Sequence, residues 1–177
     1  MFEKLNISPE LKKAISKLGF EHPTLIQEKA LPLILEGKDL IGVSATGSGK
    51  TIAFGAGVLE KVNPKKGLQA LILTPTRELA EQVKQVLVSL AIFKQIGITP
   101  VYGGVAMNPQ IQQLQRTEVV VATPGRFKDH LQRGTVNTKN IKFFVLDEAD
   151  RMLDMGFIDD IEFILKSCPQ QIHTFLF

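Results

Sequence analysis

Apolar residues in this chain fall into short runs separated by amphipathic stretches. Six runs stand out: LIGVS (40–44), ALILT (70–74), ITPVY (98–102), VVVA (119–122), FFVLD (143–147) and HTFLF (173–177). Each is rich in β-branched or aromatic residues and apolar at successive positions. That pattern predicts strands buried on both faces, as in a parallel sheet. Between the runs the spacing is helical. Leu79, Ala80, Val83, Val86, Leu87 and Leu90 recur at three and four residues and predict an amphipathic helix. Strands alternating with helices predict an α/β fold of three layers, its central sheet mostly parallel and covered on both faces. Ligands of such sheets gather at the carboxyl ends of the strands. Chemistry is therefore expected in the segments that follow each run.

Length and composition narrow the class. A chain of 177 residues is sized for one domain, and 44 % hydrophobic with 22 % charged residues is ordinary for a soluble globular protein. No apolar run reaches bilayer length, and the N-terminal MFEKLNISPEL has acids where a secretory signal has an apolar core. A single cysteine, Cys168, allows no internal disulfide and fits a reducing cytoplasm. His22, His130 and His173 lack metal-ligand spacing and read as structural or exposed. A net charge of +3 is too small to announce a nucleic-acid partner, so any basic footprint must be local. The last run stops at Phe177 with no polar tail, which reads as a chain cut from a longer one.

The first run leads into SATGSGKT, residues 44–51. A phosphate loop has the form G-x-x-x-x-G-K-[ST]. Gly49, Lys50 and Thr51 fit, while Ser44 stands where the first glycine belongs. Gly47 and Gly49 allow backbone N–H groups to turn toward phosphate oxygens. The following helix adds partial positive charge at its N-terminus. Lys50 is long enough to reach outer phosphates, and the Thr51 hydroxyl suits Mg²⁺. A plain Gly/Ser turn before a helix is the alternative, disfavoured by the strand, loop, G-K-T and helix occurring in order.

The fifth run ends in Asp147, with Glu148 and Asp150 just beyond. An acid at a strand end can hold Mg²⁺, directly or through water, and a neighbouring acid can orient and deprotonate an attacking water. Taken alone, these acids read equally well as charges at a helix N-terminus. With a phosphate loop upstream, hydrolysis becomes the favoured reading. Two further junctions repeat the form T-P-x-R: Thr74-Pro75-Thr76-Arg77 and Thr123-Pro124-Gly125-Arg126. In each, Thr suits the N-cap and Pro the first helical position, leaving N–H groups and an arginine free for an anion. Either alone reads equally as an ordinary cap. The pair, with Gly103-Gly104 after another strand, points to a ligand of repeating phosphates, a nucleic-acid backbone bound without base readout.

Together these segments resemble the DEAD-box ATP-dependent RNA helicases over nearly the whole chain, and in the family's motif order. Asp147-Glu148-Ala149-Asp150 spell its name, and GFEHPTLIQ (19–27) resembles its Q motif, with Phe2 upstream at a familiar aromatic position. SATGSGKT resembles motif I, where the family usually has alanine at Ser44. PTRELA (75–80), GG (103–104) and TPGR (123–126) resemble its RNA-backbone motifs. The resemblance implies a RecA-like P-loop domain over residues 1–177, the N-terminal half of a helicase, with the Q-motif region at 2–27 and a C-terminal RecA-like domain outside this chain. It implies ATP and Mg²⁺ held by Phe20, Gln27 and the loop residues Ser44, Ala45, Thr46, Gly47, Ser48, Gly49, Lys50 and Thr51. Gln27 would bond the adenine edge, Phe20 would pack on the base, and Thr51 and Asp147 would hold the metal. Lys50, Asp147 and Glu148 would carry hydrolysis, and Asp150 would couple to the second domain. Pro75, Thr76, Arg77, Gly103, Gly104, Thr123, Pro124, Gly125 and Arg126 would meet the RNA backbone. The implied fragment is a cytoplasmic monomer with no membrane partner that binds nucleotide but does not unwind. Other readings are an ATP-gated RNA clamp without turnover and a DNA translocase. One departure is LQRTE (114–118), where the family usually carries a glycine; a local loop change is expected there.

Overall fold

In the computed structural model the described residues are 2, 5–45 and 47–177. Thr46, one of the expected phosphate-loop residues, lies outside them. The elements run α1 Pro9–Lys17, α2 Leu25–Leu35, β1 Leu40–Ile41, α3 Lys50–Lys61, β2 Ala70–Leu73, α4 Arg77–Leu90 and β3 Ile98–Val101. They continue α5 Met107–Leu114, β4 Val119–Ala122, α6 Pro124–Gln132, β5 Phe143–Leu146, α7 Ala149–Asp154, α8 Ile158–Lys166 and β6 His173–Leu176. Each of the six apolar runs contains a strand.

The strands form one sheet in the order β1-β6-β5-β2-β4-β3, and every pairing is parallel. Alternation along each strand divides the core in two. Ala70 and Ile72 of β2 join Val119, Val121, Phe143, Val145 and Phe175 on one face, with Leu31, Phe54 and Leu87 from the helices α2, α3 and α4. Leu71 and Leu73 join Val120, Phe144 and Val101 on the other, with Phe127, Met152 and Ile164 from α6, α7 and α8. The central strands β2 and β4 are buried at every position, which is why they read as unbroken apolar runs. Each large side chain removed from water contributes roughly 1.5–3 kcal/mol, so this double-sided core is the main support of the sheet. The amphipathic stripe of α4 faces the first core through Ala80, Val83, Leu87 and Leu90.

The edges correct the expectation of strands buried on both faces. β1 pairs only with β6, and its ladder covers two residues of LIGVS. Ile41 is 77 % exposed and Val43 92 %: Ile41 lies in an edge strand and Val43 beyond the end of its ladder. β3 closes the opposite edge and alternates half-buried with buried residues. Pro100 is tolerated there because its missing N–H costs no ladder bond on the open side. In the LQRTE segment the chain turns without a glycine: the Thr117 hydroxyl donates to Gln113 O at 2.8 Å, and the buried Glu118 carboxylate accepts from Gly97 N at 2.6 Å and Lys65 N at 2.8 Å. Among the described residues no helix is long and apolar enough to cross a membrane.

Candidate nucleotide and nucleic-acid sites

Because all six strands are parallel, every candidate motif except the Q motif, which precedes β1, follows a strand at the same carboxyl end of the sheet. Strand order then separates them. The phosphate loop follows β1 and the acids follow β5, with only β6 between them. The two T-P-x-R junctions and the Gly-Gly turn follow β2, β4 and β3, which are contiguous on the other half.

At the phosphate loop, Gly49 caps α3 with φ 90° and Gly47 has φ 78°, both in the left-handed region that favours glycine. Lys50 is the first residue of α3, and its Nζ donates to Ser44 O at 3.1 Å. The Ser44 and Ser48 hydroxyls are joined at 2.8 Å. Ser44 thus ties the loop across its mouth, a use for the hydroxyl that a glycine at this position could not offer. Thr51 is half-buried in the first turn of the helix, and Ala45 and Gly47 are exposed.

The Q-motif segment braces this loop from behind. The Thr24 hydroxyl donates to Ser48 O at 2.8 Å. Gln27 accepts from Thr24 N at 2.9 Å through Oε1 and donates to Gly49 O at 3.1 Å through Nε2. The first of these bonds is half of a capping box at the start of α2. Gln27 is fully buried, whereas Phe20 is 37 % exposed. Phe20 is therefore open to a flat ligand, while both ends of the Gln27 amide are engaged within the chain.

Asp147 is 4 % exposed at the end of β5. Burial pushes its carboxyl up to about 6; Lys50 pulls it down, Glu148 pushes it further up, and the Glu148 N–H pulls it down. A buried acid beside a lysine at a phosphate loop fits a cation partner. The donor set also fits, since a carboxylate and a threonine hydroxyl are hard oxygens of the kind Mg²⁺ takes. Among the described residues no group of three His, Cys, Asp or Glu is arranged for a metal. Mg²⁺ bound with phosphates needs only one or two protein ligands, so the residues present suit it. Glu148 has φ 55° and ψ 51°, a left-handed backbone rare for a side chain of this size. Hydrogen bonds on either side pin it there: Asp147 N to Leu73 O and Ala149 N to Phe177 O, both 3.0 Å. Its carboxylate meets Arg151 Nη1 at 3.0 Å, and Asp150 is exposed beside it.

The two T-P-x-R junctions are not equivalent. At the second, Thr123 is the N-cap and Pro124 opens α6, as expected from the sequence. At the first, Thr76 is the N-cap, its Oγ1 accepting from Leu79 N at 3.2 Å, and α4 begins at Arg77. Thr74 and Pro75 precede the helix; the Thr74 hydroxyl donates to Thr76 O instead. A second threonine two residues on takes the cap, so Arg77 stands at the first helical position and Arg126 at the third.

Sequence reasoning did not single out the residues that hold these arginines. The Arg77 guanidinium lies 5.1 Å over the Tyr102 ring, and Tyr102 Oη donates to Glu81 Oε1 at 2.5 Å. Gly104 has φ 80°, and a Cβ there would lie 3.6 Å from Arg77 Nη1. Arg126 Nη1 donates to Val105 O at 3.0 Å and to Gln110 Oε1 at 3.4 Å. Gln110 Nε2 donates to Tyr102 O at 3.0 Å, and its Oε1 meets His130 Nε2 at 3.0 Å. Burial holds His130 below the ordinary histidine range, with Arg126 pushing the same way. Among the bracing residues of the two sites, only Thr24, behind the phosphate loop, had a readable signal, the T-x-x-Q spacing of a capping box.

Known proteins align with this picture. A family model described as DEAD/DEAH box helicase matches residues 24–177. The chain is 49 % identical over 177 residues to a probable ATP-dependent RNA helicase of Methanocaldococcus jannaschii, covering 99 % of this chain and 48 % of that protein. It is 48 % identical over 178 residues to the DEAD-box ATP-dependent RNA helicase CshA of Geobacillus kaustophilus, covering 99 % of this chain and 38 % of that one. The chain thus spans half or less of these relatives. The crystal structure of a DEAD box protein from Methanococcus jannaschii superposes with a TM-score of 0.97 at 48 % identity, over 99 % of this chain and 49 % of that one. S. cerevisiae Dbp5, solved with Nup159, Gle1, IP6 and ADP, gives 0.89 at 37 % identity, over 97 % and 46 %. The α/β fold and the family expected from the sequence are both upheld: the chain belongs to the DEAD/DEAH box helicase family.

Proposed function

We propose that residues 1–177 are the N-terminal, ATP-binding RecA-like domain of an ATP-dependent RNA helicase, which couples ATP hydrolysis to local opening of RNA duplexes. The carrying observation is the division of one sheet edge. A phosphate loop and a buried acid occupy one half, and two arginine-bearing helix starts occupy the other. The relatives named as ATP-dependent RNA helicases, and the ADP in the Dbp5 structure, support the same reading.

In this reading the loop backbone of Ser44, Ala45, Thr46, Gly47, Ser48 and Gly49 receives the phosphates, and Lys50 leaves Ser44 O to meet their outer oxygens. Phe20 covers the adenine. Gln27 bonds the base edge, exchanging at least one of its internal partners to do so. Thr51 and Asp147, the latter directly or through water, would hold Mg²⁺, which supplies charge neutralisation on the phosphates. Glu148 orients the attacking water and takes its proton. Asp150 faces the second RecA-like domain, which supplies the remaining charge at the transition state. Pro75, Thr76, Arg77, Gly103, Gly104, Thr123, Pro124, Gly125 and Arg126 form the RNA-backbone surface. The lone Cys168 supports a reducing, cytoplasmic setting.

RNA-stimulated ATP hydrolysis and strand separation test this. Residues 1–177 alone are expected to show neither at a helicase-like rate. Adding the C-terminal domain in trans is expected to restore both, because charge supplied from a second element is worth about 10³–10⁵ in related phosphoryl transfers. Robust unwinding by residues 1–177 alone would overturn the two-domain mechanism.

A further inference from the structure

The two arginines of the proposed RNA surface come from helices on opposite faces of the sheet, α4 and α6. A surface that grips a strand at two phosphates needs these groups at a fixed spacing, since misplacement by even an ångström weakens a multipoint contact. Arginines on two separate helices hold no spacing by themselves. Here they are linked through one buried side chain. Gln110, on α5 and 5 % exposed, accepts from Arg126 Nη1 and donates to the carbonyl of Tyr102, the residue whose ring lies under Arg77. The donation to Tyr102 O fixes which end of the amide is oxygen. That oxygen only accepts, so His130 Nε2, 3.0 Å away and fully buried, is the donor to it. Tyr102 is fixed at its other end by Glu81, four residues beyond Arg77 on α4.

We propose that Gln110 is a positioning residue for RNA-backbone binding: it locks Arg126 and the Tyr102 platform of Arg77 into one hydrogen-bonded frame, with His130 setting its amide. This rests on the reading of Arg77 and Arg126 as phosphate contacts. Gln110 touches no RNA itself. Its effect falls on the apparent affinity for RNA and leaves nucleotide binding alone, since the phosphate loop sits on the other half of the sheet.

The test is a double-mutant cycle in the full-length protein, read as the RNA concentration that half-saturates ATPase. Gln110→Met keeps length and removes both polar functions. It is expected to raise that concentration about five- to tenfold, with the half-saturating ATP concentration and the rate at saturating RNA unchanged. Arg126→Ala, costly in the wild type, is expected to add less than about twofold in the Gln110→Met background. Gln110→Glu covers the case in which Gln110→Met does not fold. It retains an acceptor for Arg126 and His130 and loses the donation to Tyr102 O, so it is expected to weaken RNA binding less while leaving the full cost of Arg126→Ala. Wild-type RNA affinity in a folded Gln110→Met, full additivity with Arg126→Ala, or loss of the Arg126→Ala cost in Gln110→Glu would overturn the positioning role. Lack of effect of Arg126→Ala in the wild type would remove the RNA reading on which it rests.

Discussion

Gln27 Nε2 donates to the carbonyl oxygen of Gly49 at 3.1 Å, across 22 residues of sequence. The contact joins the Q-motif helix to the last residue before α3 and leaves no room between them. A Cβ built on Gly49 lands on Gln27 Nε2, and Gly49 also needs φ 90°. Gly47 needs φ 78° but meets nothing within 4 Å. Gly47→Ala should therefore cost the backbone term alone, about 1–2 kcal/mol, and Gly49→Ala should cost more. Thermal unfolding of the two variants checks this; equal losses would mean that the Gln27 contact does not constrain the loop.

Glu148→Gln should leave nucleotide binding intact and lower turnover of the full-length protein at least about a hundredfold, since the amide keeps the shape and loses the basicity. Single-turnover hydrolysis beside ADP calorimetry separates the two effects. Hydrolysis at the wild-type rate would assign the base elsewhere.

Arg77→Ala and Arg126→Ala should each weaken RNA binding to a similar degree across sequences. Each should also lower the dependence of log affinity on log salt by about 0.7, the release expected per phosphate of a single strand. A loss confined to particular sequences would indicate base readout.

His130 gives a pH signature. Burial, then Arg126, hold it below its ordinary value, with Arg133 acting the same way and Asp129 opposing. The folded chain therefore binds this proton more weakly than the unfolded chain. The stability it contributes is present above the unfolded value of about 6.5 and is lost as pH falls below it. His130→Gln should flatten the fall in melting temperature over that acidic range. Parallel curves for wild type and variant would exclude His130 as its source.

Much of this is legible in the sequence. Buried parallel strands leave unbroken apolar runs, so β2, β4 and β5 could be placed from sequence. The motifs are local and ordered, so the family could be read as well. Features set by distant partners could not. The shared T-P-x-R form hides that Thr76 takes the cap from Thr74, although the third position is Thr in one tetrapeptide and Gly in the other. Gln27 gives no local sign that its amide is held by Gly49, nor Glu148 that two neighbouring strand ends fix it in a left-handed backbone. Gln110 and His130 belong to no motif, and only the fold brings α5 and α6 within hydrogen-bonding reach of each other. The exposure of Ile41 and Val43 was also hidden, because an apolar run does not reveal whether its strand is at an edge.

The most direct measurement is calorimetric titration of residues 1–177 with ADP and GDP in the presence of Mg²⁺, for the wild type and Lys50→Ala. The account predicts weak ADP binding by the wild type, GDP weaker by about tenfold, the scale of one lost hydrogen bond to the base, and a marked loss of ADP binding in Lys50→Ala. A folded wild type that binds neither nucleotide, or a Lys50→Ala that binds ADP as the wild type does, would contradict it.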